Sequence, residues 1–328
     1  TNPATSKTLT INSTDLVSNF YARSKTTQIP FKTSSKMTDS EGRHFYCIDP
    51  EKFAPNGHPF SLTSTLDDGA YRILKNGYPN KSITGDNVKD RVITQTALWA
   101  YLDKEMVNIN DLEVIDGSKT NNDMLKHVKT LYNKSTTDNS TQKVSVKFST
   151  TKLNAKFTNN QFETNTFKLI GTGDIKSSET TLSFIDKKSN AAFKDIKVID
   201  NNGKEVSKLK LDEEYKFIIP ASIPTGSIEI KGTTNITHNT PIFFSSNVSG
   251  IQDTVVIEET IEKQDLPAIN LDWEGQGDIS ITKTSADTSE KLEGAVFEIK
   301  DHDGKVVQTV TTDKNGFAKS NKLPLGVY

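Results

Sequence analysis

Helical periodicity in this chain is confined to one stretch, 67–133, and beyond residue 143 the apolar residues alternate with the two-residue period of strands. That asymmetry predicts a mixed α and β first region followed by an all-β remainder, an α+β or mostly β protein. The chain has 328 residues, more than one hydrophobic core usually serves, so two or three domains are expected.

In the first region, 1–143, an extended segment runs through Phe45-Tyr46-Cys47-Ile48 and is closed by Pro50. A helix follows over 67–75, with Asp67 placed to cap it and Gly77 and Pro79 as its stop. The best-defined helix covers 87–104, with Asp86 as cap, and a third covers 123–133. Residues 144–262 read as a β-sandwich with strands over 144–148, 181–185, 196–199, 215–219, 227–230 and 255–257. Asn201-Asn202-Gly203 and Pro224-Thr225-Gly226 supply turns between them. The pattern leaves two choices for 144–262: a domain of its own, or the completion of the first domain's sheet. Residues 263–277, with Pro267, Gly275 and Gly277, read as a linker, and 278–328 as a last, small β domain that needs more strands to be complete.

Charge narrows the partners. Forty basic against 42 acidic residues leave a formal net charge of −2, and no basic block with interleaved aromatics marks a nucleic-acid surface. No stretch approaches the roughly 18 apolar residues of a membrane span, so no membrane insertion is expected, and the polar first ten residues are unlike a signal peptide. Abundant Asn, Ser and Thr together with strand-rich patterning favour an extracellular location.

Cys47 is the single cysteine, so no intramolecular disulfide staples the fold, and a lone thiol in an exported chain calls for a reason. On the 87–104 helix, Val88, Val92, Gln95, Trp99 and Leu102 share one stripe, and one member of that stripe is an amide. A buried carboxamide costs on the order of 1–3 kcal/mol unless its hydrogen bonds are met. If Gln95 meets the Cys47 thiol, sulfur can attack the amide carbon, expel ammonia and leave an internal thioester. Phe45, Tyr46 and Trp99 are then the expected pocket walls that keep water out. Tyr46 and backbone donors near Cys47 are candidates for assisting the condensation. The plainer reading makes Cys47 an inert buried hydrophobe and Gln95 a satisfied core amide. A third makes Cys47 a hydrolase nucleophile with His44, His58 or His127 as base, although His44 lies three residues away on an extended segment and faces the other side.

The motifs Tyr46-Cys47-Ile48-Asp49-Pro50 and Thr94-Gln95-Thr96-Ala97-Leu98-Trp99 resemble the paired YCI-x-P and TQ-x-A-x-W signatures of bacterial thioester domains. The Gln252-Asp253-Thr254-Val255-Val256 stretch extends the likeness. The resemblance implies a Gram-positive surface adhesin in which Cys47 is the thiol partner and Gln95 the acyl partner. It implies covalent capture of an amine nucleophile, a lysine above all, on a host extracellular or cell-surface protein, in a single turnover. Neither a cofactor nor a metal is implied.

In the last segment, Glu298 lies between apolar neighbours on a strand, 295–299, and another, 279–284, presents Lys283. A glutamate buried there is expected to be protonated, or to pair with a lysine whose pKa desolvation depresses. If exposed, the two make an ordinary ion pair worth about 1 kcal/mol at most. Ile281-Thr282-Lys283-Thr284, Gly294-Ala295-Val296-Phe297-Glu298 and Leu323-Pro324-Leu325-Gly326-Val327-Tyr328 resemble a CnaB-type (Ig-like) domain. That resemblance implies Lys283 as the amine of a Lys-Asn isopeptide bond and Glu298 as its catalytic acid. The acceptor asparagine is expected beyond Tyr328, together with the cell-wall anchor, in a sequence read as a truncated piece of a wall-anchored protein.

Overall fold

The computed structural model describes residues 8–15, 22–28, 30–31, 35–115 and 119–328. Strand accounts for 48% and helix for 14%, so the protein is mostly β, as the patterning predicts. Two compact units emerge, each assembled from separated stretches of chain: 1–145, 171–178 and 235–263 form the first, and 146–170, 179–234 and 264–328 the second.

In the first unit, the strand His44–Cys47 lies between Ser35–Thr38 and the start of Thr254–Glu274, antiparallel to both, with Thr254 opposite Cys47 and Val255 opposite Tyr46. Ser35–Thr38 pairs with Thr8–Asp15, which pairs with Asn56–Thr65, which pairs with the end of Thr225–Ser246. Three helices accompany these strands among the described residues: α1 (Asp68–Asn76), α2 (Asn87–Leu102) and α3 (Lys119–Thr137). Their common core contains Ile11, Phe45, Phe60, Ile93, Leu98, Val128 and Phe244, all of them sealed from solvent.

The predicted caps explain where the helices begin. Asp67 accepts from Ala70 N at 3.0 Å, and Asp86 accepts from Val88 N at 2.9 Å and Lys89 N at 3.1 Å, each satisfying amides that helical bonding leaves free. Helix α3 runs longer than the 123–133 expected. Its flanks contain Asn121 and Ser135, poor helix formers, but both are buried, and packing outweighs propensity there.

Helix α2 is buried around its whole circumference from Asp90 to Ala100, so its polar residues must find partners inside the protein. Asp90 accepts from Ile83 N at 2.9 Å, Thr84 N at 2.8 Å and Thr84 Oγ1 at 2.6 Å, fastening the loop before the helix. Thr94 Oγ1 donates to Asp90 O and accepts from Tyr78 N, and Thr96 Oγ1 donates to Val92 O. Replacing Asp90 with Ala strands three donors at once. Chemical denaturation is expected to register a loss of about 3 kcal/mol, whereas a surface substitution such as Lys89→Ala shifts stability by no more than about 0.5 kcal/mol.

The second unit is all β. Lys152–Thr158 and Gln161–Thr164 form a hairpin whose two connecting residues, Asn159 and Asn160, have φ of 53° and 61°, the left-handed pair that two-residue hairpins require and Asn tolerates. Tyr215–Pro220 and Lys197–Asp200 extend this sheet, and residues 270–273 run parallel to Lys152–Thr158. Phe167 and Phe217 stack at 4.7 Å between centroids in its core.

Two sequence expectations require correction. Residues 263–277 are not a linker loop: strand continues through Glu274 and resumes at Gln276–Gly277. Leu266, Ile269, Leu271 and Trp273 are all buried, while Pro267 is exposed, where its missing N–H costs no buried bond. Of the two choices for 144–262, neither covers the whole stretch: 171–178 and 235–262 fall in the first unit and 146–170 and 179–234 in the second. The strand Thr225–Ser246 is 22 residues long, and it contributes residues to both units.

The last segment has a small core of Ile299, Val310 and Ala318, with Phe297 and Ile281 packed on it. Alternation along Val296–Lys300 therefore turns Phe297 and Ile299 inward and Glu298 outward. Glu298 is exposed and its Oε2 lies 3.7 Å from Lys300 Nζ. The buried Lys283–Glu298 arrangement is thus not present: Lys283 is exposed, and its main-chain N–H donates to Gly316 O at 2.7 Å.

Candidate functional site

Cys47 ends its strand on the buried face and Gln95 sits at the middle of α2, 2% and 4% exposed respectively. The Gln95 carboxamide lies against the Cys47 main chain as a second peptide group would. Cys47 N donates to Gln95 Oε1 at 2.8 Å, and Gln95 Nε2 donates to Cys47 O at 2.8 Å. These two bonds fix the plane of the amide and hold it beside the residue that bears the thiol. Both residues, with Trp99 one turn further along α2, line a cavity of about 240 Å³.

Burial pushes the Cys47 thiol well above its ordinary pKa, opposed by the Trp99 side chain and by the backbone N–H of Asp49. The Trp99 Nε1–H has no full acceptor of its own. At neutral pH the sulfur is therefore protonated. In a Gln95→Ala variant, iodoacetamide alkylation of Cys47 should keep rising above pH 10, where an unperturbed thiol, near pKa 8.5, has levelled off. A plateau at pH 9 would show that burial does not control this thiol.

The cavity floor continues into a loop, 49–54, clasped by the segment 250–253. Phe53 N donates to Gly250 O, Gln252 N to Phe53 O, Gln252 Nε2 to Lys52 O at 2.8 Å and Asp253 N to Asp49 Oδ2 at 3.1 Å. Lys52 and Phe53 line the cavity, and Phe53 is 78% exposed.

Of the expected walls, Trp99 lines the cavity and the other two do not. Phe45 points into the core edge-on to Phe244, and Tyr46, on the opposite face of the strand, donates through its hydroxyl to Tyr78 O. Burial raises the Tyr46 pKa to about 12, and that hydroxyl is already engaged. None of the three histidines lines the cavity. His44 stands edge-on to Tyr78 and lines a separate cavity with Tyr46. Its pKa falls to about 4 through burial, with Arg91 and Lys36 adding to the fall. His58 Nδ1 accepts from Asn56 N, and His127 belongs to α3.

Arg91 is a resident of this region that the sequence reading passed over. It is 2% exposed, its guanidinium lies 4.0 Å from the Tyr46 ring centroid, and Nη2 donates to Phe45 O. Nε and Nη1 are buried without a hydrogen-bond partner. Its sequence signal was a charge one turn before Gln95, directly before the apolar pair Val92-Ile93. Among the described residues no group of three or more His, Cys, Asp or Glu could hold a metal, and no helix is long and apolar enough to cross a membrane.

The stretch that contains helix α2 and the Cys47 strand has a known class: the family models find a thioester domain there and a prealbumin-like module at the end of the sequence. The thioester-domain family model matches residues 44–140, and the SpaA prealbumin-like fold domain matches 277–328. Among solved structures, the Bacillus anthracis TIE protein is 24% identical with a TM-score of 0.82, over 98% of this chain and 59% of that one. The thioester domain of the Enterococcus faecium TIE86 protein is 21% identical with a TM-score of 0.62, over 83% of this chain and 97% of that one. Both likenesses are of fold, and this chain spans 59% of the length of the Bacillus anthracis protein. The comparison with curated proteins found no match.

Proposed function

We propose that this chain is the binding end of a bacterial surface adhesin, displayed outside a Gram-positive cell wall, which attaches covalently to a host protein through a Cys47–Gln95 thioester. The observation that carries the reading is the paired hydrogen bonding of the Gln95 amide to Cys47 N and O. As sulfur adds to the amide carbon, negative charge gathers on Oε1, where the Cys47 N–H already donates. The C–N bond then breaks, the thiol proton leaves with the nitrogen as ammonia, and an acyl–sulfur bond remains. An incoming amine reverses the roles: it takes the Gln95 acyl group as an amide and frees the Cys47 thiol. Each molecule acts once, so it is a reagent and has no turnover. A lysine amine on a host protein is the nucleophile this reading favours.

Incubation with methylamine tests this. The product should weigh about 14 Da more than the sequence, because methylamide replaces amide at Gln95, with the added mass on the Gln95 peptide and Cys47 newly alkylatable. A second reading has one observation in its favour: the same two hydrogen bonds satisfy the amide, as an inert core glutamine needs. In that case methylamine leaves the mass at the sequence value.

A further inference from the structure

The cavity lined by Cys47 and Gln95 is bordered by a residue that carries an amine of the protein's own. Lys52 lines it, from the clasped loop directly after the cysteine strand. Its Nζ lies 3.3 Å from Asp49 Oδ2, the carboxylate oxygen that also accepts from Asp253 N. We propose that Lys52 is an internal acceptor within reach of the Gln95 acyl group, and that its ion pair with Asp49 reserves that group for an external nucleophile. This rests on the thioester reading above.

The chemistry is the capture reaction turned inward. A neutral Lys52 Nζ adds to the thioester carbonyl and the C–S bond breaks. Sulfur departs with the bonding pair and takes up the proton that nitrogen gives up. The product is an amide between Lys52 Nζ and the Gln95 acyl group together with a free Cys47 thiol, formed with no change in mass. A protonated amine has no lone pair for this step. Asp49 restrains it in two ways: the carboxylate draws Nζ toward the loop, and its charge favours the ammonium. The Asp49 hydrogen bond and charge raise the Lys52 pKa against a smaller opposing effect of desolvation, and Asp253 and Glu51 add to the rise. Asp49 is itself held in place, since it lies between the strand end and the 250–253 clasp. The arrangement answers a problem that any stored acyl donor faces: a lysine bordering its own cavity is present at far higher effective concentration than any external amine.

The test follows the protein at pH 9 by intact mass, by thiol alkylation and by methylamine uptake. Asp49→Asn keeps an acceptor for Asp253 N and removes the charge. This variant should convert from a methylamine-reactive species to an inert one of unchanged mass with an alkylatable Cys47, at least about threefold faster than the parent. Peptide mapping should find Lys52 joined to Gln95. The double variant Asp49→Asn, Lys52→Arg should stay methylamine-reactive, because a guanidinium does not attack. If Asp49→Asn decays no faster than the parent, the proposal is overturned. It is overturned as well if decay adds the mass of water, or if Lys52→Arg does not prevent it, since hydrolysis through a loosened loop then explains the loss. Failure of the underlying reading looks different: the parent itself would start at full sequence mass and never take up methylamine.

Discussion

Substituting Cys47 with Ala is expected to abolish methylamine incorporation at Gln95, a loss of at least about 1,000-fold, because an unactivated carboxamide does not exchange its nitrogen with an amine on this timescale. The same substitution lowers stability. The proposed thioester would join positions 48 apart in sequence and remove loop entropy from the unfolded chain, and a cross-link closing a loop of that length contributes about 4 kcal/mol. Cys47→Ala and Gln95→Ala should therefore unfold at similar, lower denaturant concentrations, and combining them should cost little more than either alone, since each removes the same bond. Full additivity of the two losses in denaturant unfolding would show that the residues contribute independently and are not joined.

Trp99→Ala has the second large effect. The indole is 6% exposed and forms one side of the reactive cavity beside Cys47. Truncating a buried tryptophan to alanine costs about 3–5 kcal/mol through lost contacts and the void that remains. Here the void would adjoin the proposed thioester, a bond that water hydrolyses. Even at temperatures where the variant is fully folded, it is expected to carry glutamate at position 95 with a free Cys47 thiol, which intact mass and alkylation read together. Trp99→Phe fills most of the space and loses only the Nε1–H, so it should retain the bond. A Trp99→Ala protein that is folded and still fully reactive toward methylamine would contradict the role given to this wall.

Much of this was legible in the sequence where a local signal had a local cause. Asp67 and Asp86 announce the two helix starts because an N-cap acts within three residues. Gln95 stands out because an amide in an apolar stripe creates an obligation that can be read without coordinates. What stayed hidden depended on contacts distant in sequence. Phe45 shares its strand face with Cys47, yet core packing against Phe244 takes it away from the cavity. The Lys52 environment is built by residues some 200 positions away, Gln252 and Asp253. Glu298 looked buried because its neighbours are apolar, but those neighbours are the inward half of an alternation that turns Glu298 out. The strand through 263–274 was concealed by Pro267, which reads as a break until its exposed position is known.

Arg91 shows how packing and chemistry meet in this region. Burial lowers its pKa, and it has no carboxylate partner among its hydrogen bonds, only the Phe45 carbonyl and the face of Tyr46. That contact ties α2 to the residues just before Cys47, one helical turn from the tie that Gln95 makes to Cys47 itself. The helix and strand are thus pinned at successive turns.

The most direct measurement is the mass of the untreated, folded protein. A condensed Cys47–Gln95 pair makes it about 17 Da lighter than its sequence, the mass of one ammonia, with no alkylatable thiol until an amine is added. A protein at full sequence mass whose Cys47 can be alkylated on unfolding would contradict the account.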